Sequence, residues 1–145
     1  MKKYLNFSLI YAIIAMIGGI FYREVTKWNE FSGVTVLGKV HTHLFLLGMM
    51  LFLIVALFAE NNNLHEQKSF NIFIYVYNIG VAITVVMMVV RGVLQVLNIL
   101  LSSKVDAAIS GIAGIGHILV GVGIILLLVA LKNSKRLKNL YEKMS

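Results

Sequence analysis

Residues 39–59, KVHTHLFLLGMMLFLIVALFA, form an apolar run that opens with a lysine and two histidines and then carries no further charge. A helix that crosses the hydrocarbon core of a bilayer needs about 20 consecutive apolar residues. The run has that length, and a helix satisfies every backbone hydrogen-bonding group without help from water. It therefore predicts a membrane-spanning helix with His41 and His43 near one end.

Three further runs of this kind lie at about 4–22, 70–92 and 107–131. Hydrophobic residues make up 59% of the sequence and charged residues 13%. A soluble domain of 145 residues has too little interior to bury so much apolar surface. The sequence predicts an all-α integral membrane four-helix bundle, with one transmembrane domain over residues 1–145.

The basic residues predict an orientation in the cell membrane. With both termini cytoplasmic, eight Lys and Arg residues lie inside and five lie outside, which agrees with the positive-inside rule. The net charge of +7 is explained by this topology, so it does not indicate nucleic-acid binding. No small-residue cleavage site follows the first run, which therefore predicts a retained span. The tail, 132–145, is predicted to form an amphipathic helix on the inner membrane surface.

The sequence contains no cysteine and no proline. Disulfides, thiolate metal sites, iron–sulfur clusters and covalent c-type haem attachment are therefore excluded. The ionisable residues within the apolar runs then become the main candidates for function, because such residues are costly inside a membrane.

Two of the three intramembrane histidines lie at similar predicted depths. His43 is 17 residues from Glu60 and His117 is 15 residues from Lys132. At about 1.5 Å per residue, these depths differ by about 3 Å. His41 lies roughly 3 Å further out and about 200° around the helix from His43. The spacing predicts a cofactor between the second and fourth helices, with His43 favoured over His41 as the second-helix ligand.

Small residues surround His117 in the segment SGIAGIGHILVGVG. Gly114 at i−3 and Gly121 at i+4 share its helical face and would leave room for a flat macrocycle. The alternative is that Gly111, Gly114, Gly121 and Gly123 form a close helix–helix contact. The histidine among them favours the cofactor pocket.

Arg91 and Lys39 are candidate partners for cofactor carboxylates. Counted from Lys68, Arg91 lies roughly 9–12 Å outward of His43 and His117, which would suit the carboxylates on one edge of haem. The apolar run continues past Arg91 to about residue 102. Either the third helix projects beyond the bilayer, or the segment after Arg91 lies on the outer surface, or Arg91 is near mid-membrane.

The segments VHTHLFLLGMM and GIGHILVGVG resemble helices of the haem-copper oxidase and nitric oxide reductase catalytic subunits. The whole chain also resembles an uncharacterised group of four-span bacterial membrane proteins with an HxHLxxLG segment. The first resemblance implies haem-ligating histidines on transmembrane helices. Because that family has twelve helices in three arcs of four, it also implies a homo-oligomer, with a homotrimer as the hypothesis. The oxidase copper site requires three further histidines, which this chain lacks, so oxygen reduction is not predicted.

The leading functional hypothesis is a b-type haem protein that transfers electrons, with iron bound by His117 and by His43 or His41. If only one histidine binds iron, the open position predicts gas binding or sensing instead. Two other classes remain: a copper or zinc protein that uses all three histidines, and an accessory subunit without a cofactor. His65, in a polar connection, is predicted to be a solvated loop residue.

Overall fold

The computed structural model describes residues 1–62 and 64–134, and every regular element in this part of the chain is helical. The predicted tail helix falls, from residue 135 onward, outside the described residues. The elements in chain order are α1 (Lys2–Trp28), a 3₁₀ turn (Val36–Lys39), α2 (Val40–His43), a π-helical turn (Leu44–Met50), α3 (Leu51–Asn62), a second 3₁₀ turn (Leu64–Glu66), α4 (Lys68–Val96) and α5 (Ser103–Lys132).

Four helical segments of the described chain are long and apolar enough to cross a membrane. They are α1, Val36–Ala59 (the second span, built from several helical pieces), α4 and α5. The predicted all-α, four-span fold is therefore confirmed. The 30 residues of α5 extend about 45 Å, which exceeds a bilayer core of about 30 Å. The helices α1, α4 and α5 are longer than the apolar runs predicted from the sequence and extend past both ends of them.

The four spans pack in chain order. The first span packs against the second, the N-terminal part of the second packs against α4, and α5 packs along α4. Within the described residues, α5 has no comparable contact with α1 or the second span. One long side of α5 is consequently left open.

An aromatic cluster fills the half of the bundle nearer the connection between α3 and α4. Phe52 of α3 packs against Phe73 and Tyr77 of α4, and its ring stacks on that of Tyr11 from α1 at a centroid distance of 5.7 Å. Phe52, Phe73 and Tyr77 are fully buried. The cluster joins the first three spans at this end of the bundle.

Glycines allow α4 and α5 to approach closely. A Cβ on Gly116 would lie 2.6 Å from Oγ1 of Thr84, and one on Gly80 would lie 2.7 Å from the backbone nitrogen of Val120. Gly123 packs in the same way. Side chains at these positions would push the helices apart, so the contact depends on small residues from both helices.

The π-helical turn is held by donors from two neighbouring helices. The Tyr77 hydroxyl of α4 donates to the Leu47 carbonyl at 2.8 Å, and the Ser8 hydroxyl of α1 donates to the Met49 carbonyl at 2.8 Å. Gly48 lies against the Tyr11 ring, where a Cβ would clash. A π-bulge adds one residue to a helix, and one residue corresponds to about 100° of rotation. The turn therefore sets the direction in which the histidine-bearing segment faces.

Candidate functional site

Three spans contribute to one open groove, of about 310 Å³, in the half of the bundle nearer the connection between α4 and α5. We call it the histidine groove. The second span contributes His43, α5 contributes His117, and α4 lies between them. The lining residues are Val36, Lys39, His43, Met87, Met88, Arg91, Ile109, Ala113 and His117.

Both groove histidines have the same tautomer in their neutral form. Nδ1 of His43 lies 2.9 Å from the Lys39 carbonyl oxygen, and Nδ1 of His117 lies 2.8 Å from the Ala113 carbonyl oxygen. A carbonyl only accepts, so each Nδ1 carries the proton and donates it. Each neutral ring then keeps its lone pair on Nε2, the nitrogen available to a metal. A hydrogen bond at the other ring nitrogen is also the usual way that proteins orient a ligating histidine.

His41 faces away from the groove. Its ring lies beside α1, where a Cβ on Gly19 would be 3.8 Å from the His41 Cβ and Cγ atoms. Its Nδ1 is buried and has no hydrogen-bond partner within the described residues. The two histidines of the HxH segment therefore face different parts of the molecule, His41 toward α1 and His43 toward the groove, as their angular separation predicts.

Gly114 and Gly121 do not line the groove, but both have open space beside them. A Cβ on Gly111, Gly114 or Gly121 would meet no atom within 4 Å. Of the four glycines that the sequence offered for a close helix–helix contact, only Gly123 packs closely against α4. The other close contact from α5 is made by Gly116, which was not among those four. The side of α5 that carries Gly111, Gly114 and Gly121 is thus free of close packing within the described residues, and His117, beside it, is exposed.

Arg91 lines the groove near the connection between α4 and α5 and has partners that sequence reasoning missed. Its Nη2 bonds the Asp106 carboxylate and donates to the Ser110 hydroxyl at 2.8 Å. Asp106, Ser110, Ala113 and His117 recur at intervals of three and four residues, so they lie on one helical face. That shared face is visible in the sequence, but it does not name Arg91 as the partner of Asp106 and Ser110. Arg91 is also within α4, which remains helical to Val96.

Lys39 lies at the start of the second span and is exposed. Its carbonyl orients His43, and its side chain lines the groove without a hydrogen bond to any described residue. Lys39 and Arg91 thus give the lining of the groove two cationic groups.

The described residues contain no group of three His, Cys, Asp or Glu side chains placed to hold a metal ion. His43 and His117 share the groove without His41. His65 is exposed in the second 3₁₀ turn, at the opposite end of α4 from Arg91, and its carbonyl accepts a hydrogen bond from Asn71. The groove therefore offers two neutral imidazoles and two cationic side chains, and its other lining residues are apolar.

The fold and the groove describe a small four-span membrane protein with a two-histidine site. A family model described as a protein of unknown function, DUF2871, matches residues 1–134. The chain belongs to that family. No curated protein and no solved structure matches it.

Proposed function

We propose that this protein binds b-type haem in the membrane, with the iron between His43 and His117. The observation that carries the proposal is the shared groove, in which two histidines from different spans each direct Nδ1 to their own backbone. Both Nε2 lone pairs are thereby available on rings that line the same cavity. Imidazole nitrogen is a common axial ligand of haem iron.

The charge of the groove and its open side support haem as the ligand. The groove volume of about 310 Å³ is at the lower end of ligand pockets, and its open side adds space beside Gly114 and Gly121. Lys39 and Arg91 at the outer end would pair with carboxylates. The floor includes the Met87 and Met88 side chains, which adapt to irregular apolar surfaces.

We propose electron transfer as the role. When bound, haem would supply one-electron redox chemistry, and two protein ligands would leave no open position for a substrate. The resemblance of the histidine segments to haem-copper oxidase helices agrees with haem but not with an oxidase copper site. A zinc or copper site is less well supported, because a structural zinc site needs about four ligands and the groove offers two imidazoles.

An absorption spectrum of the purified protein, before and after reduction, tests this proposal. Two histidine ligands predict a Soret band with sharp α and β bands on reduction. His117→Ala and His43→Ala should each abolish these bands, because each removes one axial ligand. A protein that stays colourless when expressed with ample haem would contradict the proposal.

Two other histidines provide matched controls. His65→Ala changes a histidine outside the groove and His41→Ala changes one that faces α1, so both should keep the reduced bands. Loss of the bands in His41→Ala with retention in His43→Ala would instead assign His41 as the ligand.

We further propose that both termini are cytoplasmic and that the protein lies in the cell membrane. Leu100, in the connection between α4 and α5, is 98% exposed, and the chain has no native cysteine. Leu100→Cys on intact cells should therefore react with a membrane-impermeant maleimide, whereas His65→Cys should react only after lysis. The reverse pattern would invert the topology.

A homo-oligomer, with a trimer as the leading form, is also proposed. Its support is the open side of α5, where Gly111, Gly114 and Gly121 meet no neighbouring helix among the described residues and the exposed His117 lies beside them. A second copy would cover this side and close the groove.

A further inference from the structure

Arg91 lines two cavities. One is the histidine groove, and the other is a cavity of about 500 Å³ with a mixed polar and apolar lining, at the connection between α4 and α5. We call the second cavity the vestibule; its lining includes Arg91, Gln95, Ser103 and Asp106. The Arg91 side chain therefore stands where the groove and the vestibule meet.

The guanidinium of Arg91 already binds a carboxylate from its own chain. Nη2 of Arg91 donates all three of its hydrogen bonds, to the Asp106 carboxylate, the Asp106 carbonyl and the Ser110 hydroxyl. Nε and Nη1 have no partner among the described residues. The Asp106 side chain is 58% exposed, and ion pairs that are so open to solvent contribute little stability. A second carboxylate is thus able to replace Asp106 at modest cost.

We infer that the vestibule is a carboxylate-binding subsite. The Asp106 carboxylate binds the Arg91 guanidinium until a ligand carboxylate displaces it. This inference rests on the proposed haem site, since a porphyrin held at His43 and His117 would direct its carboxylate edge toward Arg91. Asp106 is then an internal competitor and not a binding residue. Removing the Asp106 charge should therefore strengthen ligand binding, whereas removing the Arg91 charge should weaken it.

Hemin and hemin dimethyl ester separate these roles, because the ester keeps the iron and the ring but has no free carboxylate. The apoprotein in detergent is titrated with each compound, and the Soret band gives the Kd. Asp106→Asn should lower the Kd for hemin roughly two- to fivefold, the range expected when an exposed ion pair no longer competes. Arg91→Gln should raise that Kd about tenfold or more, because charge-assisted hydrogen bonds are lost. Neither change should alter the Kd for the ester.

A second Asp106 variant and a control variant complete this test. Asp106→Ser keeps a polar side chain in the first turn of α5 and should act like Asp106→Asn, even if one of the two folds poorly. Glu24→Gln removes a carboxylate that does not line the vestibule and should leave both Kd values unchanged.

The outcomes are distinct. Weaker or unchanged hemin binding in both Asp106 variants, with normal binding of the ester, overturns the competitor role alone. An equal gain for hemin and the ester also overturns it, because the effect would not depend on a ligand carboxylate. Failure of every form to bind either compound overturns the haem proposal and this inference together.

Discussion

Two glycines only two residues apart have opposite roles on α5. A Cβ on Gly116 would lie 2.9 Å from the Thr84 backbone nitrogen, whereas a Cβ on Gly114 would meet nothing within 4 Å. Gly116 is buried against α4, and Gly114 is exposed on the other side of the helix. Sequence alone lists both as small residues near a histidine, so their different roles emerge only from the packing.

This pair gives a prediction on stability. Gly116→Ala should lower the free energy of unfolding by about 1–3 kcal/mol, because the methyl group is forced into a tight contact. Gly114→Ala should leave stability unchanged or slightly higher, since alanine is the better helix former. Unfolding of both variants in mixed micelles, followed by circular dichroism, checks the difference. Equal losses in the two variants would contradict the packing described for α5.

Helical periodicity at the residue scale explains what could be foreseen at the site. It separated His41 from His43 by angle, and it matched His43 with His117 by depth. It did not reveal Asp106 as the partner of Arg91, because an exposed acidic residue near a helix end is ordinary in a sequence. The hydrogen bonds from Nδ1 to the backbone also required coordinates, since they depend on side-chain rotamers.

The π-helical turn is the element whose form no sequence pattern indicated. Its residues, LFLLGMM, are uniformly apolar, so they carry no period from which an extra residue is recognised. The turn forms where Tyr77 and Ser8 supply hydroxyl donors to its carbonyls from two other helices. A long-range contact therefore decides a local backbone geometry.

Removing one of these donors tests that explanation. Tyr77→Phe should lower the free energy of unfolding by about 0.5–2 kcal/mol, the usual size of such bonds in membrane proteins. Tyr75→Phe is the matched control, because Tyr75 is 71% exposed and should lose nothing. Thermal unfolding in one detergent compares them. If the two changes cost the same, the hydroxyl of Tyr77 does not stabilise the turn.

For the whole molecule, the open side of α5 is the main structural feature. Ile118 is 67% exposed in a single copy, whereas Val120 faces α4 and is 8% exposed. Lipid is able to cover an apolar helix face, but the exposed His117 borders this side near the middle of α5. A polar group at that depth favours a protein or cofactor partner over lipid.

Cysteine cross-linking checks for a second copy on this side. The chain has no cysteine, so Ile118→Cys and Val120→Cys each introduce the only thiol. Mild oxidation in membranes should give cross-linked dimers for Ile118→Cys and none for Val120→Cys. The yield should persist when the protein is diluted with lipid. A yield that falls in proportion to dilution would indicate random collision and count against the oligomer.

The sequence by itself determined the class of the protein and the number of spans, because the cost of placing polar groups in hydrocarbon acts on each segment separately. It also determined which histidines match in depth, since the rise of a helix is constant. Only the tertiary structure decided which glycines pack, where the π-helical turn forms and which carboxylate Arg91 binds. Each of these depends on contacts between residues far apart in the chain, and such contacts leave no local periodic pattern.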